Sequence, residues 1–465
     1  MEIHVKKTSV VRPAQQTPSH SLWISNLDLL NAHFGQVPLV YFYRRPAVSE
    51  RSDFFDTSLL KEALSKRWAF DPLAGRLKRT KMGALVAFYP LAGRLKRDEN
   101  GRLQIECNAE GVLFMEAETS CVIDDEFGDD NFTPSLRMRQ LVPSLDYSST
   151  NISSSPLLVS QVTYFKCGGV CLGVGWHHIL GDGTFGLNFI KSWVEISSGF
   201  SISNPPFIDR TILKSRTPPY PTFDHIKYHP PPQLQSGVLP TSMTRVELSL
   251  DRISFLKTKF KKDQDVTYST YEILAAHVWR CLCKARGLPN DQATKLYIPT
   301  NGRSRFNPPL PLGYLGNVIF AATPIALADD IRSKSLIYVV KIIHEALKRM
   351  DDEYLRSALA YVEKHYNDLT CLKQGAPSCN SPNLRIVSWG GMPICDTNFG
   401  WGSPIYMGRA IVPFEGQSFI LPRPSNERSF SLIIRLETRH IELFKNFFYS
   451  EGVGSIKKYY KPSAL

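Results

Sequence analysis

Hydrophobic positions along the chain fall into short β-type runs and helical stripes that alternate over most of its length. Between Leu157 and Trp176, β-branched and aromatic residues lie on both sides of Lys166-Cys167-Gly168-Gly169, which predicts two strands and a turn. Gly181-Asp182-Gly183 follows directly. After it Phe185, Phe189, Ile190, Trp193 and Ile196 recur at near-helical spacing as far as Gly199. Further on, the pattern predicts helices from Asp251 to Lys262 and from Thr270 to Lys284, and strands near Lys295 to Pro299 and Asn317 to Ala322. A long helix around Ser333 to Met350, a strand-rich stretch and a last helical segment at Arg439 to Phe448 complete it.

One interval breaks the alternation. From Ile202 to Leu239 the chain carries Pro205, Pro206, Pro218, Pro219, Pro221 and the run Pro230 to Pro232, which predicts a stiff, extended connector rather than a packed element. Strands interleaved with helices on both sides suggest two α/β domains, residues 1–201 and 240–465, joined by the proline-rich crossover 202–239. A second irregularity is a repeat. Ala69 to Arg79 returns as Ala87 to Arg97 with one difference, Asp71 against Tyr89. Solenoid repeats continue at a fixed period, and this one stops after two copies. Only the second copy runs into a hairpin turn, Asp98-Glu99-Asn100-Gly101, and a following strand from Arg102 to Glu106. The second copy is therefore expected to be the structural one, and residues 67–83 a local duplication with no function of their own.

Composition narrows the class. A chain of 465 residues with 43% apolar and 21% charged positions is globular and long enough for two large domains. It has no run of 18 apolar residues and no apolar segment behind Lys6 and Lys7, so neither a membrane span nor a secretory signal is expected. The nine cysteines have no zinc or redox spacing and read as reduced thiols in a cytoplasmic protein. The formal charge of +12 favours an anionic partner. No zinc finger, aromatic RNA-binding pattern or basic arm supports nucleic acid. Lys257, Lys259, Lys261 and Lys262 form the densest basic cluster, read either as a solvated helix face or as a phosphate contact.

The chemistry concentrates in Trp176-His177-His178-Ile179-Leu180-Gly181-Asp182-Gly183. Adjacent residues on a strand point to opposite faces, so the two histidines do not ligate one metal together, and no metal is expected. One imidazole at a strand end, facing a cleft, suits a general base. Two satisfied core histidines are the alternative, but the full pattern arises by chance in only about one chain per thousand of this size. There is no Gly-x-Ser-x-Gly elbow, dinucleotide loop or phosphate-binding loop. A base without a covalent nucleophile suggests direct transfer between two bound substrates.

His178 to Gly183 and Asn398-Phe399-Gly400-Trp401-Gly402 together resemble the BAHD acyl-CoA-dependent acyltransferases of plants. Ser25-Asn26-Leu27-Asp28-Leu29, Tyr41-Phe42-Tyr43, Asn301-Gly302-Arg303 and Gly313-Tyr314-Leu315-Gly316-Asn317 are similar to the hydroxycinnamoyl-CoA shikimate/quinate transferase and rosmarinate synthase subgroup. The resemblance implies two chloramphenicol-acetyltransferase-like α/β domains with mixed sheets and flanking helices. It implies a monomer that uses acyl-CoA as cosubstrate, with no cofactor and only small-molecule partners. His178 matches the catalytic histidine and Trp401 an indole that stabilises the oxyanion. Asp182 matches a carboxylate that pairs with an arginine, here Arg303, and supports the site structurally, as do Asn398, Gly400 and Gly402. CoA would lie near Lys259, Tyr268 and Ser269, the last two reading equally well as helix capping.

The departures bear on substrate. Asn398 replaces an aspartate, exchanging a charge pair for a neutral hydrogen bond about half as strong. Val37 and Leu39, ahead of Tyr41, stand where the subgroup carries Thr and Ser. Gly391 stands where shikimate transferases carry an arginine for the acceptor carboxylate. Losing such a contact typically costs on the order of 2–5 kcal/mol, so shikimate and quinate are expected to be poor acceptors. A condensation domain shares the histidine motif, but no carrier or adenylation segment accompanies it. A catalytically impaired homologue is the remaining alternative, motivated by the duplication and Asn398.

Overall fold

The computed structural model describes all residues except 47–53, 66–81, 129–131, 148–151, 232–238, 259–265, 367–368, 370–371, 373–374, 393, 395, 424–428 and 451–465. Its first half contains β1 (His4–Val11), β2 (Ser21–Trp23), β3 (Gln36–Tyr43), β4 (Arg94–Arg97), β5 (Leu103–Glu106), β6 (Val112–Thr119), β7 (Leu158–Phe165) and β8 (Val170–His177). Its second half contains β9 (Thr241–Leu248), β10 (Ala293–Asn301), β11 (Ile319–Ala322), β12 (Ile325–Leu327), β13 (Leu384–Ser388), β14 (Tyr406–Arg409), β15 (Gln417–Pro422) and β16 (Phe430–Glu437). Two mixed sheets dominate, in the orders β1-β6-β7-β8-β3-β14 and β11-β10-β13-β15-β16-β9, with β12 paired to β10. A small sheet, β2-β5-β4, completes the set. Among the described residues, no helix is long and apolar enough to cross a membrane.

The expected strand pair is β7 and β8, antiparallel and fully zipped from Leu158↔Trp176 to Tyr164↔Val170. The helix after Gly-Asp-Gly is Gly183–Ser197, capped by the Asp182 side chain on the Phe185 amide. Its apolar stripe packs on the sheet so closely that a Cβ on Gly186 would stand 2.3 Å from the Trp176 ring. Thr270–Ala285 covers the second sheet, its Trp279 ring buried. The described part of the repeat agrees with the reading of its second copy: β4 pairs with β5 around the predicted turn. The first copy, 69–79, lies outside the described residues.

Three expectations need correction. The stretch after Met350 opens with a helix, Asp352–Lys364, before the strands begin; Asp351 caps it, and Leu355, Ala358 and Val362 form its buried stripe. The helix expected from Asp251 to Lys262 is present over Leu250–Thr258, and the rest of its expected length, with Lys259, Lys261 and Lys262, lies outside the described residues. The crossover is packed, not free: Arg210 is 0% exposed, and Leu213, His225 and Tyr228 are buried. Finally, the second half gives a strand to the first sheet. β14 pairs antiparallel with β3, setting Arg409 opposite Leu39 and Tyr406 opposite Phe42, so the second half completes the first sheet.

Candidate active site

β8 ends at His177, and the chain turns through the short helix His178–Leu180 before Gly181. His177 is a core residue, as the opposite-face argument required of one of the pair. Its Nδ1 accepts the Ile179 amide at 3.2 Å, its ring meets Tyr147 edge-on, and burial pulls its imidazole down to about 3. His178 lines a cavity of about 730 Å³ between the two sheets. Its Nδ1 is buried, which leaves Nε2 as the nitrogen presented to the cavity. Burial pulls the His178 imidazole down to about 4. The Arg409 charge acts in the same direction, while Asp182 and Asn317 oppose it. The ring is therefore neutral at pH 7, the form a general base requires.

The main chain of this turn is fully engaged. The His178 amide donates to Gly35 O at 2.7 Å. The carbonyl of His178 accepts from Asn317 Nδ2 at 2.8 Å, and those of Ile179 and Leu180 accept from Arg210 at 3.0 and 2.8 Å. The Gly181 carbonyl accepts from Trp176 Nε1 at 3.0 Å. Two buried ion pairs anchor these donors. Asp182 Oδ2 accepts from Arg303 Nη1 at 2.8 Å and from the Val318 amide at 2.9 Å, which gives Asp182 the arginine partner expected for it. The second pair was not anticipated. Asp28 Oδ2 accepts from Arg210 at 3.0 Å, and its Oδ1 takes both the amide and the side chain of Asn317 at 2.6 and 2.7 Å. In sequence Asp28 stands only within the Ser25 to Leu29 stretch that resembles the transferase subgroup; in the structure it also closes a capping box with Ser25. Arg210 sits in a connector where nothing local marks it.

Several expected site residues lie elsewhere. Trp401 does not line the cavity; it is 8% exposed in the core of the first half, with its ring 4.9 Å from that of Phe55. Its neighbour Phe399 packs edge-on to Trp193 at 5.2 Å. The loop around them plugs one half into the other, and Gly400 and Gly402, at φ 101° and 104°, make the turns that L side chains resist. Asn398 closes this loop by accepting both glycine amides at 2.9 Å. Its partners are main-chain donors rather than a cation, so the expected lost charge pair is not what the residue serves. The indole that does line the cavity is Trp389, whose Nε1 lies 3.4 Å from where a Cβ on Gly183 would stand. On β3, Val37 reaches the cavity, whereas Leu39 and Tyr41 are buried in the first core. Gly391 is exposed beside it, and a Cβ there would meet nothing within 4 Å. Ser269 is a helix cap, its Oγ accepting the Glu272 amide at 3.2 Å, and Tyr268 packs edge-on to His344; neither lines the cavity. Lys259 lies outside the described residues.

The cavity wall is cationic. Arg139, Lys227, Arg385 and Arg409 line it. Lys227 comes from the crossover, and burial pulls its amine down to about 7. Among the described residues no cluster of His, Cys, Asp and Glu is placed to hold a metal ion.

A profile of the Transferase family, the BAHD acyltransferases, matches residues 1–86 and 82–451. The chain belongs to this family. The match restarts between the two copies of the repeated stretch. This BAHD acyltransferase is 50% identical to shikimate O-hydroxycinnamoyltransferase of Nicotiana tabacum, over 97% of this chain and 100% of that one. It is 44% identical to hydroxycinnamoyl-CoA:5-hydroxyanthranilate N-hydroxycinnamoyltransferase HHT4 of Avena sativa (96% and 99%). With rosmarinate synthase of Plectranthus scutellarioides it shares 43% identity (97% and 100%). Its fold is that of vinorine synthase, with a TM-score of 0.72 at 21% identity, covering 97% of this chain and 98% of that one.

Two outcomes follow from the geometry. Trp401→Ala is expected to lower stability by about 3–5 kcal/mol in urea denaturation, as loss of a core aromatic does. An oxyanion role would instead lower kcat by about 10²–10³-fold with stability unchanged. Because protonation removes the base, kcat/KM should stay level as pH falls from 7 to about 5 and drop only near the depressed His178 value of about 4, followed alongside circular dichroism to separate titration from unfolding. A drop centred at the ordinary 6.5 contradicts the buried, neutral ring.

Proposed function

We propose that this chain transfers a hydroxycinnamoyl group from its CoA thioester to a hydroxyl or amine acceptor, with no acyl-enzyme. The observation that carries the reading is the neutral His178 ring on the cavity wall, in a turn whose main chain is held on every side. Nε2 takes the proton of the acceptor O–H or N–H as its lone pair attacks the thioester carbonyl. The carbonyl oxygen becomes the oxyanion, and the Trp389 indole is the cavity-facing donor available to it. Collapse expels CoA thiolate, which recovers the proton from His178. Asp182 has both oxygens committed, one to the Phe185 amide and one to Arg303 and Val318, so it positions the turn and relays no proton. The curated relatives support the acyl group: each is named for hydroxycinnamoyl transfer or rosmarinate synthesis. Their named acceptors, shikimate and 5-hydroxyanthranilate, span a hydroxyl and an amine.

Shikimate itself fits this cavity poorly. Val37 is apolar, and Gly391 offers no cation to an acceptor carboxylate.

Thiol release from p-coumaroyl-CoA, measured over a panel of hydroxyl and amine acceptors, tests the reading. Acceptor-dependent release that falls by about 10²–10⁴-fold in His178→Ala is expected; release that survives the substitution overturns it. With shikimate the wild type should be slow. Gly391→Arg, entering open space, should raise kcat/KM for shikimate by about tenfold or more.

A further inference from the structure

Arg409 and Arg139 stand together on the cavity wall nearest His178. Each arrives from a different part of the chain: Arg409 ends β14, and Arg139 ends the short helix Leu136–Arg139. Among the described residues neither has a carboxylate partner. Arg139 is spent on neutral oxygens, Val142 O at 2.6 Å, Gln36 Oε1 at 3.0 Å and Ser144 Oγ at 3.2 Å. Among the described residues the Arg409 guanidinium has no hydrogen-bond acceptor; it lies 5.6 Å over the Phe419 ring, and its Nε is buried without an acceptor. Gln36 turns its oxygen to Arg139 and has Tyr147 as a side-chain neighbour. Asp146 also lines the cavity and is exposed.

Two half-buried like charges with no carboxylate partner among the described residues are unfavourable, and an anion between them relieves the cost. Burial first, and then the Arg139 charge, pull Arg409 down to about 10, which still leaves it charged at pH 7. The anion is not a CoA phosphate if the thioester is at His178. The long neutral pantetheine arm keeps the phosphates away from the reacting carbonyl, whereas the Arg409 charge is felt at the His178 ring. The space between is apolar and aromatic. Phe34 lies 5.7 Å from the His178 ring and 6.1 Å from that of Phe414, with Val37, Pro38 and Phe419 on the same wall.

We infer that the acceptor is an aromatic carboxylic acid bearing an amine or hydroxyl, its carboxylate held by Arg409 with Arg139 beside it, its ring on Phe34 and Phe414, and its nucleophile at His178. The inference rests on the acyl-transfer reading and adds the acceptor class and the residue that selects it. The carboxylate grip missing at Gly391 is supplied from β14.

The test compares amino- and hydroxybenzoates and hydroxyphenyl-substituted acids, each with its primary amide. Binding by calorimetry, with and without free CoA, is measured alongside turnover with p-coumaroyl-CoA. Wild type is expected to prefer an acid over its amide by about thirtyfold or more, and Arg409→Gln to abolish most of that preference, with Arg409→Lys keeping part of it. Thermal melts confirm that each variant is folded. A wild type indifferent to the carboxylate overturns the inference, as does an Arg409→Gln variant that loses acid and amide in equal proportion, the result expected of an oxyanion or folding role. Arg409-dependent binding of acids without any acyl transfer leaves the carboxylate site standing and sinks the proposed reaction instead.

Discussion

The buried contact between Asp182 and Arg303 is the constraint on which the site depends. Asp182 begins the helix behind the histidine turn, and Arg303 reaches it from the end of β10 in the other half of the chain. Each is costly to bury alone, and neither has solvent to fall back on. The pair therefore persists only where the two halves meet in one relative position, the position that forms the cavity. Asp28 and Arg210 repeat the device on the opposite side of the turn, with Asn317 bridging from Asp28 to the His178 carbonyl. A base held by its main chain loses little freedom when a substrate binds, and its ring stays where proton transfer needs it.

Much of this was legible locally. The strand pair before His177, the Gly-Asp-Gly helix start and the stripe through Trp193 all follow from backbone chemistry within a few residues, and the structure has them. Asp182 and Arg303 were found through their motifs. What escaped the sequence lies in contacts between distant segments. Arg210 and Lys227 sit in a proline-rich connector that reads as a spacer, because nothing local shows that its charged side chains turn inward. β14 is a four-residue strand whose partner, β3, is more than 350 residues earlier, a pairing with no periodic signature. Trp401 matched a motif, and its motif proved to be a plug between the halves, while the cavity took its indole from Trp389. The helix Asp352–Lys364 was missed although its Asp351 cap and buried stripe are visible once sought.

The same long-range assembly shapes specificity. Residues lining the cavity with His178 include ones from β3, from β14 and from the short helix at Arg139, so the acceptor's surroundings are assembled from separate segments. Substitutions at Val37 and Gly391 remove polar and cationic contacts from one part of that wall, and Arg409 adds a cation in another. The turn bearing His178 is untouched by any of them. Chemistry and selection are thus carried by different elements, one locked by buried ion pairs and the other open to change.

A double-mutant cycle on Asp182→Asn and Arg303→Met tests the central claim most directly, with urea denaturation and kcat measured on the same samples. Asparagine keeps the cap on the Phe185 amide through Oδ1, while its amide nitrogen replaces the oxygen that accepts from Arg303 and the Val318 amide. If the pair clamps the turn, either single change leaves a buried group unpaired and costs about 3–5 kcal/mol, the double change costs less than the sum, and kcat falls and recovers with stability. Turnover lost equally in Asp182→Asn and the double variant, with stability recovered in the latter, would show that the carboxylate acts in the chemistry itself and contradict the account.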